Sequence, residues 1–382
     1  MRIGFEAKRA FHNFRGLGNY SRTLIEGLLR YAPENQYFLY TPAFKKQQSI
    51  EWSRELAKKS EEVYIRRPDT TLTHLFPGLW RSFLQSSSIE KDKLNIYHGL
   101  SHELPLHVLE SGAAPVVTIH DLIYLRYPSL FPYIDRKVYD YKFKYACSKS
   151  IRIYSICKQT KNDLMQFFNV PENKIEVMYQ SCHPSFYEQR SDETNQSIIN
   201  THNINSPYIL YVGALEERKN VVGLVKSYSS SKAKEDFNLV LVGRGQKKYI
   251  DKVYEVIRSH NLENRVIHLS SITHDELPSF YQSASLFVFP SLFEGFGLPI
   301  VESLFSRTPV ITSAGSCFPE SGGPNSIYIP CGEWGELTLA IDNVLSDKSL
   351  QEEMITTGHQ FVQKFHQRNT TKELIKSYQG LA

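Results

Sequence analysis

Short apolar runs alternate with helical and polar stretches along the whole chain. In the first half, the runs predicted as strands are Arg2–Ala7, Tyr37–Thr41, Val63–Arg66, Ile96–His98, Pro115–Ile119, Ile151–Ile156 and Ile175–Tyr179. In the second half, they are Tyr208–Gly213, Leu239–Gly243, Val266–Leu269, Leu286–Phe289, Pro309–Thr312 and Ser326–Ile329. This alternation is typical of parallel sheets that are covered by helices on both faces. The pattern therefore predicts an α/β protein with two Rossmann-like, doubly wound parallel-sheet domains that face a central cleft.

The chain has 382 residues, which is too long for one ordinary core, since single cores rarely exceed about 250–300 residues. A polar stretch at 183–206 separates the two series of runs. We therefore predict a first domain at 1–185, a linker region at 186–206 and a second domain at 207–365. A last helix is expected at about 366–382. It could pack on the second domain or back on the first.

The composition is that of a globular protein, with 41% hydrophobic and 22% charged residues. No apolar run is as long as a membrane span, and Met1–Phe5 begins a strand rather than a signal peptide. The 5 cysteines include no C-x-x-C pair, which is typical of reduced thiols in a cytoplasmic protein. We expect no nucleic-acid partner.

Positive charge is concentrated in the first half. Residues 1–190 contain 27 Lys and Arg against 19 Asp and Glu, whereas the remainder contains 17 against 21. A basic and aromatic half of this kind is suited to an anionic membrane surface or an anionic acceptor. A solvated basic face is the alternative interpretation, and composition alone does not choose between them.

The first candidate binding element is the glycine-containing segment Phe14–Tyr20, which follows the first strand. Gly16 and Gly18 allow the backbone to approach an anion closely, and Asn19 is a candidate cap for the helix that follows. An ordinary glycine turn into a helix has the same pattern.

His120 is the second candidate because it follows the strand Pro115–Ile119, at the edge where ligands of parallel sheets bind. It is suited to donating a hydrogen bond to a substrate oxygen or to titrating near neutrality. A structural histidine is the alternative. His98, His102 and His183 are weaker candidates of the same kind.

Two loops in the second half carry groups suited to phosphate. Arg218 and Lys219 stand just before a predicted helix, and a pair of cations at a helix start is suited to a diphosphate. Gly243 lies in a less specific glycine turn, Val242–Gln246. The alternative for both is a solvated turn.

The segment Glu294–Glu302 has the most specific pattern in the chain. Its two carboxylates enclose Gly295, Gly297 and Pro299, between two apolar runs. A glycine loop into a helix favours phosphate, and carboxylates accept hydrogen bonds from sugar hydroxyls, so the segment indicates a nucleotide sugar. An acid/base pair of a glycoside hydrolase is not excluded by the spacing. The chain has no D-x-D triplet, which favours a donor site without a metal.

Together these motifs resemble glycosyltransferase family 4, the retaining nucleotide-sugar transferases of the GT-B fold. The resemblance covers Arg2–Tyr20, Thr118–Asp121, Leu215–Asn220, Leu241–Gly245 and Glu294–Glu302. Within the family, the His-Asp pair followed by a Pro-Ser-Leu-Phe stretch, together with Glu-Arg-Lys-Asn, is similar to the bacterial mannosyltransferase B-like subgroup.

The resemblance implies a role for each matching residue. Four residues would be catalytic: His120, Glu294, Lys219 and Arg218. Eleven would bind the donor: Gly16, Leu17, Gly18, Gly213, Gly243, Ser271, Ile272, Phe296, Gly297, Leu298 and Glu302. Glu294 would bind the sugar, Glu302 the ribose, Arg218 and Lys219 the diphosphate. Many relatives have Arg directly after the glycine that matches Gly213, whereas this chain has Ala214.

We therefore expect a retaining, metal-independent hexosyltransferase, with mannosyl as one candidate sugar. The donor would be a GDP- or UDP-linked sugar, used as co-substrate without any further cofactor. The acceptor would be a saccharide or lipid-linked saccharide in cell-surface polysaccharide synthesis, at the cytoplasmic face of the membrane. A nucleotide-sugar epimerase of related fold and a non-catalytic nucleotide-sugar-binding subunit are the alternatives. A glycan phosphorylase is disfavoured because no pyridoxal lysine site is recognisable.

Overall fold

The computed structural model describes residues 1–68 and 85–381, which form two compact units. The first unit comprises Met1–Ser181 and His366–Ala382, and the second comprises Cys182–Phe365. Each unit is built around one parallel sheet with helices between its strands.

The sheet of the first unit has seven parallel strands. They are β1 Arg2–Glu6, β2 Gln36–Tyr40, β3 Val63–Arg66, β4 Ile96–Gly99, β5 Ala114–Ile119, β6 Arg152–Ser155 and β7 Ile175–Val177. Their order is β3-β2-β1-β4-β5-β6-β7, so the direction of winding reverses between β1 and β4. Most strand residues are buried on both faces, which is why the strands are continuous apolar runs.

The sheet of the second unit has six parallel strands. They are β8 Tyr208–Val212, β9 Asn238–Val242, β10 Val266–Leu269, β11 Leu286–Phe289, β12 Val310–Ser313 and β13 Ile327–Ile329. Their order, β10-β9-β8-β11-β12-β13, reverses between β8 and β11. The prediction of two doubly wound parallel sheets is confirmed, and in each sheet the reversal marks the edge where ligands of such folds bind.

Helices connect the strands in both units. In the first unit they are Lys8–His12, Gly16–Tyr31, Gln47–Lys59, Gln85–Lys91, Ile123–Arg126, Tyr133–Lys149, Lys158–Phe168 and Gln367–Gln379. In the second unit they are Asp192–Thr201, Val221–Ser230, Lys247–Ser259, Leu277–Gln282, Leu298–Phe305, Phe318–Gly322, Trp334–Ser346 and Lys348–Val362. None of the helices in these described ranges is both long and apolar enough to cross a membrane.

The carboxy-terminal helix, Gln367–Gln379, packs against the first unit. Gln367 Nε2 donates to the carbonyl of Thr23 at 2.7 Å, and the Tyr378 hydroxyl lies 2.5 Å from His98 Nδ1. Gly27 permits this packing, because a Cβ at that position would lie 2.6 Å from Thr371 Oγ1. A helix that follows the second unit in sequence therefore completes the core of the first.

The predicted linker region, 186–206, includes a helix. Ser191 caps the helix Asp192–Thr201, because its side chain accepts a hydrogen bond from Thr194 N. Ile199 is buried, and Asn195 Nδ2 donates to Gln282 Oε1 at 3.2 Å. The polar composition of this region thus belongs to the outer face of a helix that packs on the second unit.

We expect Gly27→Ala to lower the free energy of unfolding by about 1–3 kcal/mol, because the new methyl group must displace Thr371 and Gln367. Urea denaturation measures the change. Gly335→Ala is the matched control, since a Cβ there meets nothing within 4 Å, and it is expected to be neutral or stabilising by up to about 1 kcal/mol. Equal destabilisation of both variants would contradict the close helix contact.

Candidate active site

Two loops of the second unit meet where the winding of its sheet reverses. β8 and β11 are parallel neighbours, so the chain leaves both strands at the same edge. The N–H of Leu292 donates to the carbonyl of Arg218 at 2.8 Å, and Asn220 Nδ2 donates to the carbonyl of Pro290 at 3.2 Å. These hydrogen bonds hold the two loops side by side.

The side chain of Glu294 lies at the centre of this junction and is buried. Three groups contact its Oε1 atom: Lys219 Nζ at 2.5 Å, Arg218 Nη1 at 2.8 Å and Ser291 Oγ at 2.5 Å. No hydrogen bond to Oε2 is found within residues 1–68 and 85–381. One oxygen thus binds the protein, and the other remains an acceptor for a ligand hydroxyl.

The charge of Glu294 is maintained by its neighbours. Burial alone would raise the pKa of this carboxyl, but the positive charges of Lys219 and Arg218, with the hydrogen bonds from Lys219 and Ser291, hold the pKa below its usual value. The group is therefore ionised at neutral pH. Arg218 also pairs with Glu216, so two carboxylates balance the two cations of this junction.

Arg218 is held by several acceptors. Its Nη2 atom donates to Glu216 Oε1 at 2.8 Å, and its Nη1 atom donates to the carbonyl of Phe293 as well as contacting Glu294. Ala214, which stands where many relatives have Arg, is exposed. Lys219 makes one ion pair, to Glu294, and its ammonium lies 5.0 Å from the centre of the Phe289 ring.

The helix Leu298–Phe305 begins directly after this loop. Gly297 precedes it with φ of +88°, and a side chain there would also lie 3.2 Å from Ser321 Oγ, so glycine is required. Pro299 lies in the first turn, as predicted. The first amides of a helix have no intrahelical acceptors, so they are suited to holding an anion. Phe296 is buried and packs edge-on against Phe365.

Glu302 lies on the same helix in a different electrostatic environment. Burial raises the pKa of its carboxyl to about 7, and a hydrogen bond from the Tyr281 hydroxyl at 3.0 Å to Oε2 only partly offsets this. Glu294 and Glu302, which have identical side chains in one motif, thus differ in pKa because only Glu294 has cationic partners.

Gly213 and Gly243 follow the neighbouring strands β8 and β9. A Cβ on Gly243 would lie 1.8 Å from the carbonyl oxygen of Gly213, and a Cβ on Gly245 would lie 2.1 Å from that of Leu215. Close packing of the two loop backbones therefore explains the glycines of the Val242–Gln246 turn without a ligand. Their predicted contact with the donor stays a prediction.

Ser271 and Ile272, predicted to bind the donor, follow the edge strand β10. Ser271 is exposed and Ile272 is half-buried. They lie on the carboxyl edge of the same sheet as the Glu294 cluster, two strands away from β8. Their role also stays a prediction.

In the first unit, the predicted glycine loop is the first turn of a helix. The helix begins at Gly16, not at Tyr20, and Arg15 takes the cap position. The prediction that Asn19 caps this helix is wrong. The Asn19 side chain lies within the helix and accepts a hydrogen bond from Arg22 Nη2 at 2.5 Å. Gly18 is required for packing, since a Cβ there would overlap the carbonyl of Asn13.

Gly16 and Leu17, by contrast, are not enclosed by the protein. A Cβ on Gly16 would meet nothing within 4 Å, and Leu17 is half-buried. Of the three residues predicted to contact the donor here, these two are accessible and Gly18 is not.

His120 is buried, and both of its ring nitrogens are hydrogen-bonded within the first unit. Nε2 lies 2.9 Å from the carbonyl of Leu100, and Nδ1 lies 3.0 Å from Gln180 Nε2. The ring therefore donates through Nε2 and accepts through Nδ1. Burial lowers the pKa of His120 to about 4, so the expectation that it titrates near neutrality is wrong.

The weaker histidine candidates have structural contacts. His98 is buried between Tyr378 and Thr118, whose Oγ1 lies 2.7 Å from Nε2. His102 stacks on Phe143 with a centroid distance of 4.3 Å. In the second unit, Nδ1 of His183 accepts a hydrogen bond from the N–H of Ser185 at 3.2 Å.

Several residues that support the site were not predicted. Ser291 and Glu216 lie within three residues of predicted members, so their position in the loops was a usable signal. Gln180 follows the last strand of the first sheet, which was also a signal. Tyr281 lies 21 residues before Glu302 on another helix, and no pattern in the sequence links the two.

We expect Glu302→Gln to stabilise the protein at pH 8 but not at pH 4. The unfolded carboxyl ionises at its usual value, 4.5, whereas the folded one keeps its proton up to about 7. Between these values the folded state binds more protons, so wild-type stability falls as pH rises. Gln removes that loss. Thermal unfolding of both proteins from pH 4 to pH 8 measures it, and a difference in melting temperature that is independent of pH would contradict the raised pKa.

Comparison with known proteins agrees with this architecture. Residues 192–361 match the family model of glycosyl transferases group 1. The chain is 28% identical over 300 residues to the O-antigen chain mannosyltransferase B of Escherichia coli. The aligned residues cover 78% of this chain and 77% of that protein. It is 26% identical over 228 residues to the O-antigen chain mannosyltransferase RfbU of Salmonella typhimurium, which covers 60% of each.

Among solved structures, the fold is similar to that of Anabaena Alr3699/HepE in complex with UDP and glucose. The TM-score is 0.75 at 16% sequence identity, and the match covers 100% of both chains. The matched family segment lies within the second unit and contains Arg218, Lys219, Glu294 and Glu302. The chain therefore has the GT-B fold, and residues 192–361 of its second unit match the glycosyl transferases group 1 family.

Proposed function

We propose that this protein is a glycosyltransferase that moves a hexosyl unit, with mannosyl as the candidate sugar, from a nucleoside diphosphate sugar to a saccharide or lipid-linked saccharide acceptor, with retention at the anomeric carbon. The observation that carries the proposal is the Glu294 carboxylate, whose Oε1 is bound by Lys219, Arg218 and Ser291, while no hydrogen bond to Oε2 is found in the part of the chain that the structure describes. The names of the relatives, which are O-antigen chain mannosyltransferases, support the sugar and a role in cell-surface polysaccharide synthesis.

The donor would be bound along the loops after β8 and β11. Glu294 Oε2 would accept from a sugar hydroxyl, and the amides of Phe296, Gly297 and Leu298 would donate to the sugar and the phosphates. Lys219 would contact the diphosphate, supported by the charge of Arg218. Glu302, further along the helix, would accept from the ribose hydroxyls. A GDP- or UDP-linked sugar fits these roles, and the UDP complex of a protein with similar fold supports a nucleotide of this class.

In the proposed reaction, the bond between the anomeric carbon and the diphosphate oxygen breaks as the acceptor oxygen bonds to the same face. The acceptor hydroxyl gives its proton to the departing phosphate. Negative charge therefore grows on the diphosphate, and the fixed charges of Lys219 and Arg218 stabilise it. Because these cations supply the positive charge, we propose that the transfer needs no metal ion.

His120 would contribute as a neutral ring. Its lowered pKa and its bond to Leu100 keep the proton on Nε2. Nδ1 would contact a sugar hydroxyl only by exchanging its partner Gln180. We therefore propose that His120 orients the substrate and does not transfer a proton.

We also propose that the protein works in the cytoplasm, in peripheral contact with the inner face of the cell membrane. The support is the excess of positive charge in residues 1–190, which contain 27 Lys and Arg against 19 Asp and Glu. Clustered cations favour anionic lipid surfaces.

We expect Lys219→Ala to reduce the rate of transfer about a hundredfold or more, because one fixed charge on the leaving diphosphate is lost. The measurement is product formation from GDP-mannose, GDP-glucose, UDP-glucose and UDP-galactose, with and without EDTA. NMR of the product gives its anomeric configuration. It also separates transfer from epimerisation and donor hydrolysis.

Lys226→Ala is the matched control, because Lys226 is exposed on the next helix, and circular dichroism verifies the fold of both variants. Near-normal turnover by folded Lys219→Ala would refute the assigned role. An inverted product or loss of activity in EDTA would refute retention or metal independence.

We expect Glu294→Gln to separate sugar binding from nucleotide binding. Hydrogen bonds to charged groups contribute about 1.5–3 kcal/mol, so the affinity for the nucleotide sugar should fall about ten- to hundredfold. Affinity for the free nucleoside diphosphate should not fall, because the variant leaves Lys219 and Arg218 without their carboxylate. Calorimetric titration with both ligands measures the effects, and equal losses for the two ligands would contradict the role of Glu294.

A further inference from the structure

Exposed apolar side chains are concentrated on one helix of the first unit. Six of the ten large apolar side chains that are strongly exposed in the described ranges lie between residues 130 and 141. Among these six, the most exposed are Ile134 at 74%, Tyr141 at 67% and Tyr133 at 64%. Large exposed apolar patches on a protein surface commonly mark binding sites.

Four of these residues form one face of the helix Tyr133–Lys149. Tyr133, Ile134, Val138 and Tyr141 are spaced at helical intervals, so their side chains lie side by side. The opposite face, which includes Phe143, is buried in the core of the first unit. A surface helix is normally polar on its outer face. This helix is apolar on its outer face as well as on its buried face, and packing of the fold does not explain the outer one.

The exposed face borders a cavity of about 560 Å³, which is within the range of small-molecule sites. Leu104 and Leu106 line the other side of the cavity. They belong to the segment after β4, whereas the helix follows β5, so both elements leave the sheet at its carboxyl edge. Both walls of the cavity thus belong to connections between strands of the first sheet.

The walls of the cavity are tied together by polar contacts. Lys142 Nζ pairs with Glu103 Oε1 at 3.1 Å. The hydroxyl of Tyr145 accepts from the N–H of His107 at 3.2 Å and donates to the carbonyl of Pro105 at 3.4 Å. The cavity is therefore formed before a ligand binds.

Charge at the cavity favours an anion. Lys137 lines it, lies 5.5 Å from the centre of the Tyr133 ring and has no acidic partner in the ranges that the structure describes. Since Lys142 is neutralised by Glu103, the charge of Lys137 is uncompensated. An occupant with a hydrocarbon part and one negative group would match both the apolar wall and this ammonium.

Other occupants match the cavity less well. A bare saccharide needs many hydrogen-bonding groups, whereas Leu104, Leu106, Ile134 and Val138 offer none. A second copy of the chain in a symmetric contact would bring its own Lys137 against the first, which is a repulsive arrangement.

We infer that this cavity binds the lipid end of the acceptor, with the hydrocarbon chain against Ile134, Val138 and Tyr141 and the lipid phosphate beside Lys137. The inference rests on the proposed transfer to a lipid-linked acceptor and names the part of the first unit that recognises the lipid. It also gives a reason for the exposed apolar face, because the lipid covers that face when it binds.

Equilibrium dialysis with farnesyl phosphate, kept below its micelle concentration, tests the inference. The wild type is expected to bind farnesyl phosphate more tightly than farnesol and not to retain inorganic phosphate. Ile134→Asp should weaken binding about tenfold or more, because a buried apolar contact is replaced by a charge that repels phosphate. Lys137→Gln should remove the preference for the phosphate over the alcohol.

Leu339→Asp is the matched control, since Leu339 is 69% exposed on a helix of the second unit, and it should bind farnesyl phosphate like the wild type. Transfer to a soluble saccharide that lacks a lipid should be the same in Ile134→Asp and wild type. A protein that binds farnesyl phosphate but transfers nothing would contradict the proposed function while leaving the cavity assignment intact.

Three results would overturn the inference. The first is equal binding of farnesyl phosphate by the wild type and Ile134→Asp. The second is binding only to phosphatidylglycerol vesicles and not to monomeric farnesyl phosphate, which would make the face a membrane contact. The third is a wild-type dimer that Ile134→Asp converts to a monomer in sedimentation, which would make it a contact between copies.

Discussion

The candidate site of the second unit depends on one buried negative charge. A carboxylate removed from water is tolerated only when it is paired, and Glu294 has two cations and a hydroxyl on a single oxygen. Those partners come from two loops that are adjacent only because β8 and β11 are neighbours in the sheet. The order of the strands therefore determines the electrostatics, and the pairing in turn holds the loops together.

The neighbouring carboxylate shows the opposite balance. Glu302 has one neutral donor, Tyr281, and its ionised form is disfavoured by burial. Such a group costs stability at neutral pH unless a ligand supplies hydrogen bonds to it. Glu294 and Glu302 thus differ within one loop and helix. The charge of Glu294 is balanced by protein cations, whereas the ionised form of Glu302 has no cationic partner in the described residues. Sites that bind polar ligands commonly sacrifice some stability in this way.

Sequence patterns predicted the strands, because apolar runs are local features, and the family resemblance implied that Arg218, Lys219 and Glu294 serve one donor. They did not predict contacts between distant segments. The partners of His120 are Leu100 and Gln180, which are 20 and 60 residues away, and these partners, with burial, decide that the ring is neutral. Likewise, Gly243 reflects the closeness of Gly213 in space. The helix at 192–201 was missed because its outward face is polar.

The return of the carboxy-terminal helix to the first unit has a consequence for biosynthesis. Residues 1–181 leave the ribosome first. The helix Gln367–Gln379, which contacts His98 and packs against Gly27, is made only after the whole second unit. The surface of the first unit that this helix covers is therefore exposed while the second unit is synthesised. The order of synthesis and the order of completion are thus reversed, and a truncation after residue 365 would remove core residues from the unit whose synthesis begins first.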